Sequence, residues 1–185
     1  MIVFGIQSTV TGATAIATVG PNTPAPNIFF SGACNGTFKL LTDNAFIRSK
    51  VGFGIDRSVR IEFSLMRGDC ASFQINSEGI WHLGLEGANG PQTQFSVRDN
   101  QTGSVLLRGR FIRAILHGRS GSSSLALTLP QDNVRYSASL PWFPESLPLD
   151  GGSLAIAILS QVPVIAADNG PQQFIANGDT NFGAQ

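Results

Sequence analysis

Charge is what this sequence has least of. Only 13% of its 185 residues are Asp, Glu, Lys or Arg, about half the share of an ordinary soluble domain. Lys occurs twice, Glu four times, and no charged side chain precedes Lys39. Disorder is excluded all the same, because 42% of residues are hydrophobic and disordered chains have the opposite balance. Twelve basic and twelve acidic residues leave a net charge of zero, so the chain lacks the basic surplus of a nucleic-acid binder. Its ten Arg are scattered along the chain. With so little charge, the polar surface must come from Ser, Thr, Asn, Gln and Gly. Such a surface suits packing against other subunits or an extracellular life, and Arg in place of Lys suits planar, bidentate contacts at interfaces.

Catalytic vocabulary is also scarce. There are two histidines and two cysteines, and no HExxH, GxSxG, P-loop or dinucleotide fingerprint. His82 shares a strand face with Glu86, but Gly84 lies between them and offers no nucleophile. His82 therefore reads as a strand histidine near the surface, and His117, closing "FIRAILHG", reads the same way. A glycosidase needs two facing carboxylates, whereas Glu62, Glu78, Glu86 and Glu145 fall on different segments. The stretches "RDNQTG", "LPLDGG", "AADNGP" and "NGDTN" have oxygen ligands but read as turns, and none is a complete calcium loop. The expectation is a protein that is not an enzyme and uses no metal and no cofactor. Cys34 and Cys70 lack metal-ligand spacing. Either they pair, closing a loop of about 36 residues worth roughly 3–4 kcal/mol, or both are buried thiols.

Long apolar runs and helical periodicity are missing as well. "MIVFGIQSTVTGATAIATVGPNTPAPN" has no basic residue near Met1, and Gln7, Ser8, Thr9, Thr11, Thr14 and Thr18 interrupt its apolar residues. It reads as neither export signal nor membrane anchor. It reads as extended chain: Ile2 to Ile6, then Thr9 to Val19, then the stiff linker "PNTPAPN". Residues 1–27 are thus expected to be an arm and residues 28–185 a domain. Val10, Ile16 and Val19 are the arm's candidate contact residues.

What is present is strand after strand. "GTFKLLT", "SVRIEFSLM", "GIWHLGLE", "SLALTLP" and "GSLAIAIL" are short, rich in β-formers and bounded by turn residues. "TQFSVRDNQTGSVLLRG" reads as a β-hairpin, with a Gly to take the positive φ. "RGRFIRAILHGR" is the one helix candidate, through Phe111, Ile112, Ile115 and Leu116; Gly109 and Gly118 bracket it, and strand is the reading adopted. About twelve strands with turns every 8–12 residues predict an all-β antiparallel sandwich or jelly roll. "SLPWFPESLPLDGG" holds Trp142 and Phe143 between Pro141 and Pro144. These aromatics suit a cap on the core, an anchor in a neighbour's pocket or a sugar platform with Asp150.

Two resemblances carry functional implications. The stretch 93–185, with "TQFSVRDNQTGSVLLRGRF", "GSSSLALTL", "LPLDGGSLAIAIL" and "FIANGDTNFGAQ", resembles β-rich bacterial secreted proteins of the PEP-CTERM type. The whole, with its arm ahead of "IFF", resembles in architecture the decoration or cement proteins of tailed-bacteriophage capsids. That second resemblance implies a structural subunit located on a virion, bound to capsid protein or to copies of itself, with no nucleic-acid or membrane partner. The alternative expectation is a secreted or surface glycan-binding module.

Overall fold

The computed structural model describes residues 14–21, 26–49, 57–90, 92–129, 135–136 and 153–184. These residues form strands and turns and no helix. The helix candidate becomes two strands, β8 (Val105–Phe111) and β9 (Arg113–Arg119), broken at Ile112. Burial there alternates: Leu107, Gly109 and Phe111 point inward, and Arg108 and Arg110 outward. That period of two belongs to a strand.

Thirteen of the strands form one antiparallel sheet. Along the chain they are β1 (Thr14–Pro21), β2 (Ile28–Phe30), β3 (Thr37–Ser49), β4 (Arg57–Phe63), β5 (Met66–Ile75), β6 (Ile80–Gly87), β7 (Thr93–Asp99), β8, β9, β10 (Ser122–Thr128), β11 (Arg135–Tyr136), β12 (Ser153–Val164) and β15 (Phe174–Ala184). The small hairpin β13 (Ala166–Ala167) and β14 (Gly170–Pro171) stands apart. Both β1 and β2 pair with β15 on one side and β3 on the other. This closes the sheet into an eight-strand barrel, where the sequence led us to expect a sandwich. Closure satisfies the backbone groups that a sandwich leaves open at its edges.

Residues 14–21 of the segment read as an arm are therefore paired within the chain's own sheet. Val19 stands opposite Thr180 and Ile47, and Ile16 falls at an irregularity between Ala15 and Ala17. Val10, Trp142 and Phe143 lie outside the described residues.

Three barrel positions are each built from two strands joined by a kink. β4 leads into β5, β6 into β7, and β8 into β9. Hydrogen bonds bridge the first two kinks, with Ser64 N donating to Gln94 O (2.8 Å) and Ala88 N to Leu65 O (2.9 Å). The result is two walls, β4–β7–β8 and β5–β6–β9. The expected hairpin joins β7 to β8. Asp99 Oδ1 accepts from Gln101 N (2.7 Å) and Thr102 N (3.2 Å), and Gly103 takes φ +71°, a left-handed value that favours Gly.

One core fills the interior. Trp81, Phe30, Phe38, Phe95, Phe111 and Phe174 are its largest fully buried side chains, and Phe63 and Phe95 stack at 5.3 Å. Between β1 and β2, buried Asn27 bridges to β15. Its Nδ2 donates to Gly178 O (3.1 Å), and its Oδ1 accepts from Gly178 N (2.8 Å). The amide side chain thus extends the ladder where the backbone path breaks.

The tip of the β2–β3 hairpin, residues 31–36, is tied to two other segments. Cys34 is disulfide-bonded to Cys70 on β5. Cys34 N donates to Asn169 O (2.7 Å), and Ala33 N to Pro171 O (2.9 Å). A Cβ on Gly68 would strike the Cys34 carbonyl, and one on Gly170 the Cys34 amide. Both positions therefore require Gly.

Candidate functional site

Of the register irregularities along the barrel's strands, two are the widest, each setting four residues against one. On β5, Asp69 stands opposite Gly84 and Gln74 opposite His82, so residues 70–73 face Leu83 alone. On β12, Leu159 stands opposite Ser124 and Val164 opposite Ser122, so residues 160–163 face Ser123 alone. Bulges re-aim side chains and commonly mark functional edges.

The β5 bulge gathers polar groups. Asp69 Oδ1 accepts from Ala71 N (3.0 Å). Ser72 Oγ donates to Asp69 O (2.6 Å) and accepts from Gly84 N (2.8 Å). Arg113 on β9 reaches across β6, and its Nη2 lies 3.2 Å from Asp69 Oδ2. A Cβ on Gly84 would meet both the guanidinium and the Ser72 hydroxyl, which explains a glycine on the outer face. Ser72 brings a hydroxyl from β5 to the strand face of His82 and Glu86, which "IWHLGLE" by itself does not show. Both of its hydrogen bonds go to backbone groups, so it holds the bulge in shape.

Beside it, His82 and His117 stand directly opposite each other on β6 and β9, with ring centroids 5.9 Å apart. Burial lowers the His117 pKa below its usual 6.5, and the neighbouring His82 adds to the shift. The same outer row continues through Ala126 and Ala157 to Asp179, whose carboxyl is raised above its usual 3.8 by burial. Glu86 stands opposite Arg67 and Arg113, whereas Glu62 belongs to the other wall, opposite Leu41 and Ser96. Glu78 is exposed in the β5–β6 turn. Glu145 lies outside the described residues.

The β12 bulge and its flanks expose aliphatic side chains. Leu159, Val162 and Ile165 are 55%, 53% and 51% exposed. The backbone of residues 163–166 is held by bonds with Ser120, Gly121 and Gln172. Gly121 N donates to Val164 O (2.8 Å), Gln172 N to Ile165 O (2.8 Å), and Gln172 Nε2 to Pro163 O (3.1 Å). Ala166 N donates to Ser120 Oγ (3.0 Å). Three aliphatic side chains thus face outward next to a hydrogen-bonded stretch of backbone. The strand reading of "GSLAIAIL" stops at Leu159, so the sequence does not mark this site; the register places its aliphatic residues outside.

Comparison with protein-family models, with curated proteins and with solved structures finds no match for this chain.

Proposed function

We propose that this protein is a non-enzymatic structural subunit of a larger assembly, and that the β12 bulge is one of its contact surfaces. The observation that carries the reading is the exposure of Leu159, Val162 and Ile165 beside a backbone hydrogen-bonded at residues 163–166. Exposed aliphatics beside a hydrogen-bonded backbone suit protein contact, because association then costs less ordering. A capsid decoration protein on a virion, binding capsid protein or copies of itself, is the form implied by the architectural resemblance. The contact invoked here is side-chain burial at the bulge, since residues 14–21 are paired at home. The test is sedimentation of the purified chain at rising concentration, and with isolated particles. Self-association or co-sedimentation should be lost in Val162→Asp and Ile165→Asp while the melting temperature holds. A native chain that stays monomeric and leaves particles bare refutes the reading.

A second reading, a secreted or surface glycan-binding module, is favoured by the Cys34–Cys70 disulfide, because such bonds persist in oxidising compartments. Retention on a panel of immobilised glycans tests it.

A further inference from the structure

The arginines that look scattered in the sequence are gathered by the register of one wall. Arg60 on β4 stands opposite Arg98 on β7. Arg108 on β8 stands opposite Ser96, and Arg110 opposite Gln94. Burial alternates along these strands, with Val59, Ile61, Val97, Leu107 and Gly109 inside, so the four guanidinium groups share the outer face. Arg60, Arg108 and Arg110 are exposed, and Arg98 is half-buried. Among the described residues, the carboxylate that the strand alternation places with them is Glu62, and its Oε1 lies 3.2 Å from Arg60 Nε. Arg98, Arg108 and Arg110 have no ion-pair partner among the described residues. In a chain of zero net charge, this face is locally cationic.

We infer that the outer face of β4–β7–β8 binds an acidic polysaccharide through its carboxylates, with Arg98, Arg108 and Arg110 as the anchoring residues. The inference gives the glycan reading a ligand class and rests on that reading. Each planar guanidinium can take a carboxylate with two parallel hydrogen bonds, which an ammonium cannot do. Same-face side chains lie about 7 Å apart along a strand and about 5 Å across strands, so the three arginines can meet successive charges of one extended polymer. Gln94 and Ser96, opposite Arg110 and Arg108, offer an amide and a hydroxyl for sugar hydroxyls. Gln94, Ser96, Arg98, Arg108 and Arg110 include no aromatic ring, the usual stacking platform for an unpaired base. That favours a uronic-acid chain over single-stranded nucleic acid.

The experiment uses the full chain, with polygalacturonate as the probe. A neutral glucan, a thymidine oligonucleotide and vesicles containing phosphatidylserine serve as comparisons. Polygalacturonate should bind and be released by salt. Arg98→Gln with Arg108→Gln should weaken binding by about tenfold or more, with the melting temperature unchanged. Arg67→Gln, on the other wall, should leave binding intact and show that lost charge alone is not the cause. Tighter binding of the oligonucleotide or the vesicles overturns the inference. So does binding of glycans that is indifferent to the double substitution, although the broader glycan reading then survives. No binding to any glycan overturns both.

Discussion

The two walls of the barrel are made from the same three kinked strands, yet they treat charge in opposite ways. Below the kinks, on β5–β6–β9, charges answer one another. Arg113 meets Asp69, and Glu86 stands between Arg67 and Arg113. Above the kinks, on β4–β7–β8, four arginines share one face with one glutamate among the described residues. One wall is also covalently tied, through Cys70, to the tip of the β2–β3 hairpin. A strand's role is thus not uniform along its length. A kink lets the two segments of one strand carry different charge patterns.

The largest expected effect breaks both walls together. Deleting residues 1–21 removes β1, which pairs with both β15 and β3, and reopens two strand edges. Thermal unfolding followed by circular dichroism should lose its cooperative transition. A truncated chain that melts like the native one would show that β2 alone closes the barrel.

Next comes a test of whether the walls separate. Cys34→Ser with Cys70→Ser should lower stability by about 3–4 kcal/mol, measured by urea denaturation. Hydrogen exchange should quicken first in β5 and β6, and later in β7 and β8. Uniform quickening would mean that the barrel opens as one unit.

Acid should act on the compensated wall. Because the folded-state pKa of His117 is lowered, the unfolded chain takes up a proton that the native one refuses. Stability therefore falls as pH drops from 6.5 toward the lower folded value, and levels off below it. His117→Gln should flatten that limb of the melting-temperature curve. Asp179 has the opposite sign. Its raised pKa means stability is lost as pH rises above 3.8 through the folded value, so Asp179→Asn should melt higher at pH 7.

The smallest effect sharpens the contrast. Asp69→Asn breaks a pair whose side chains are each more than a third exposed, and should cost up to about 1 kcal/mol. Arg108→Gln should change stability by less than about 0.5 kcal/mol. If Arg108→Gln destabilises more than Asp69→Asn, the arginine wall is structural.

Much of the strand content was legible in the chain. "GIWHLGLE" alternates as β6 does, with Trp81, Leu83 and Leu85 inside. "RDNQTG" makes the turn its residues suggest, because Asp99 and Gly103 satisfy its geometry locally. Closure was not legible. Whether β1 and β2 pair at home depends on partners more than a hundred residues away, as in Val19 opposite Thr180. The candidate surfaces were hidden for the same reason. Val162 belongs to an apolar run and gives no sign of facing water until β12 bulges against β10. Arg60, Arg98 and Arg108 are scattered in sequence and adjacent only through register.

By itself, then, the sequence determined an all-β chain of short strands and tight turns, since alternation, β-branching and turn chemistry act over a few residues. Only the tertiary structure decided that the sheet closes, that Cys34 meets Cys70, and which side chains share a face. Those outcomes depend on pairing between distant strands, where a shift of one residue in register sends every side chain to the opposite face.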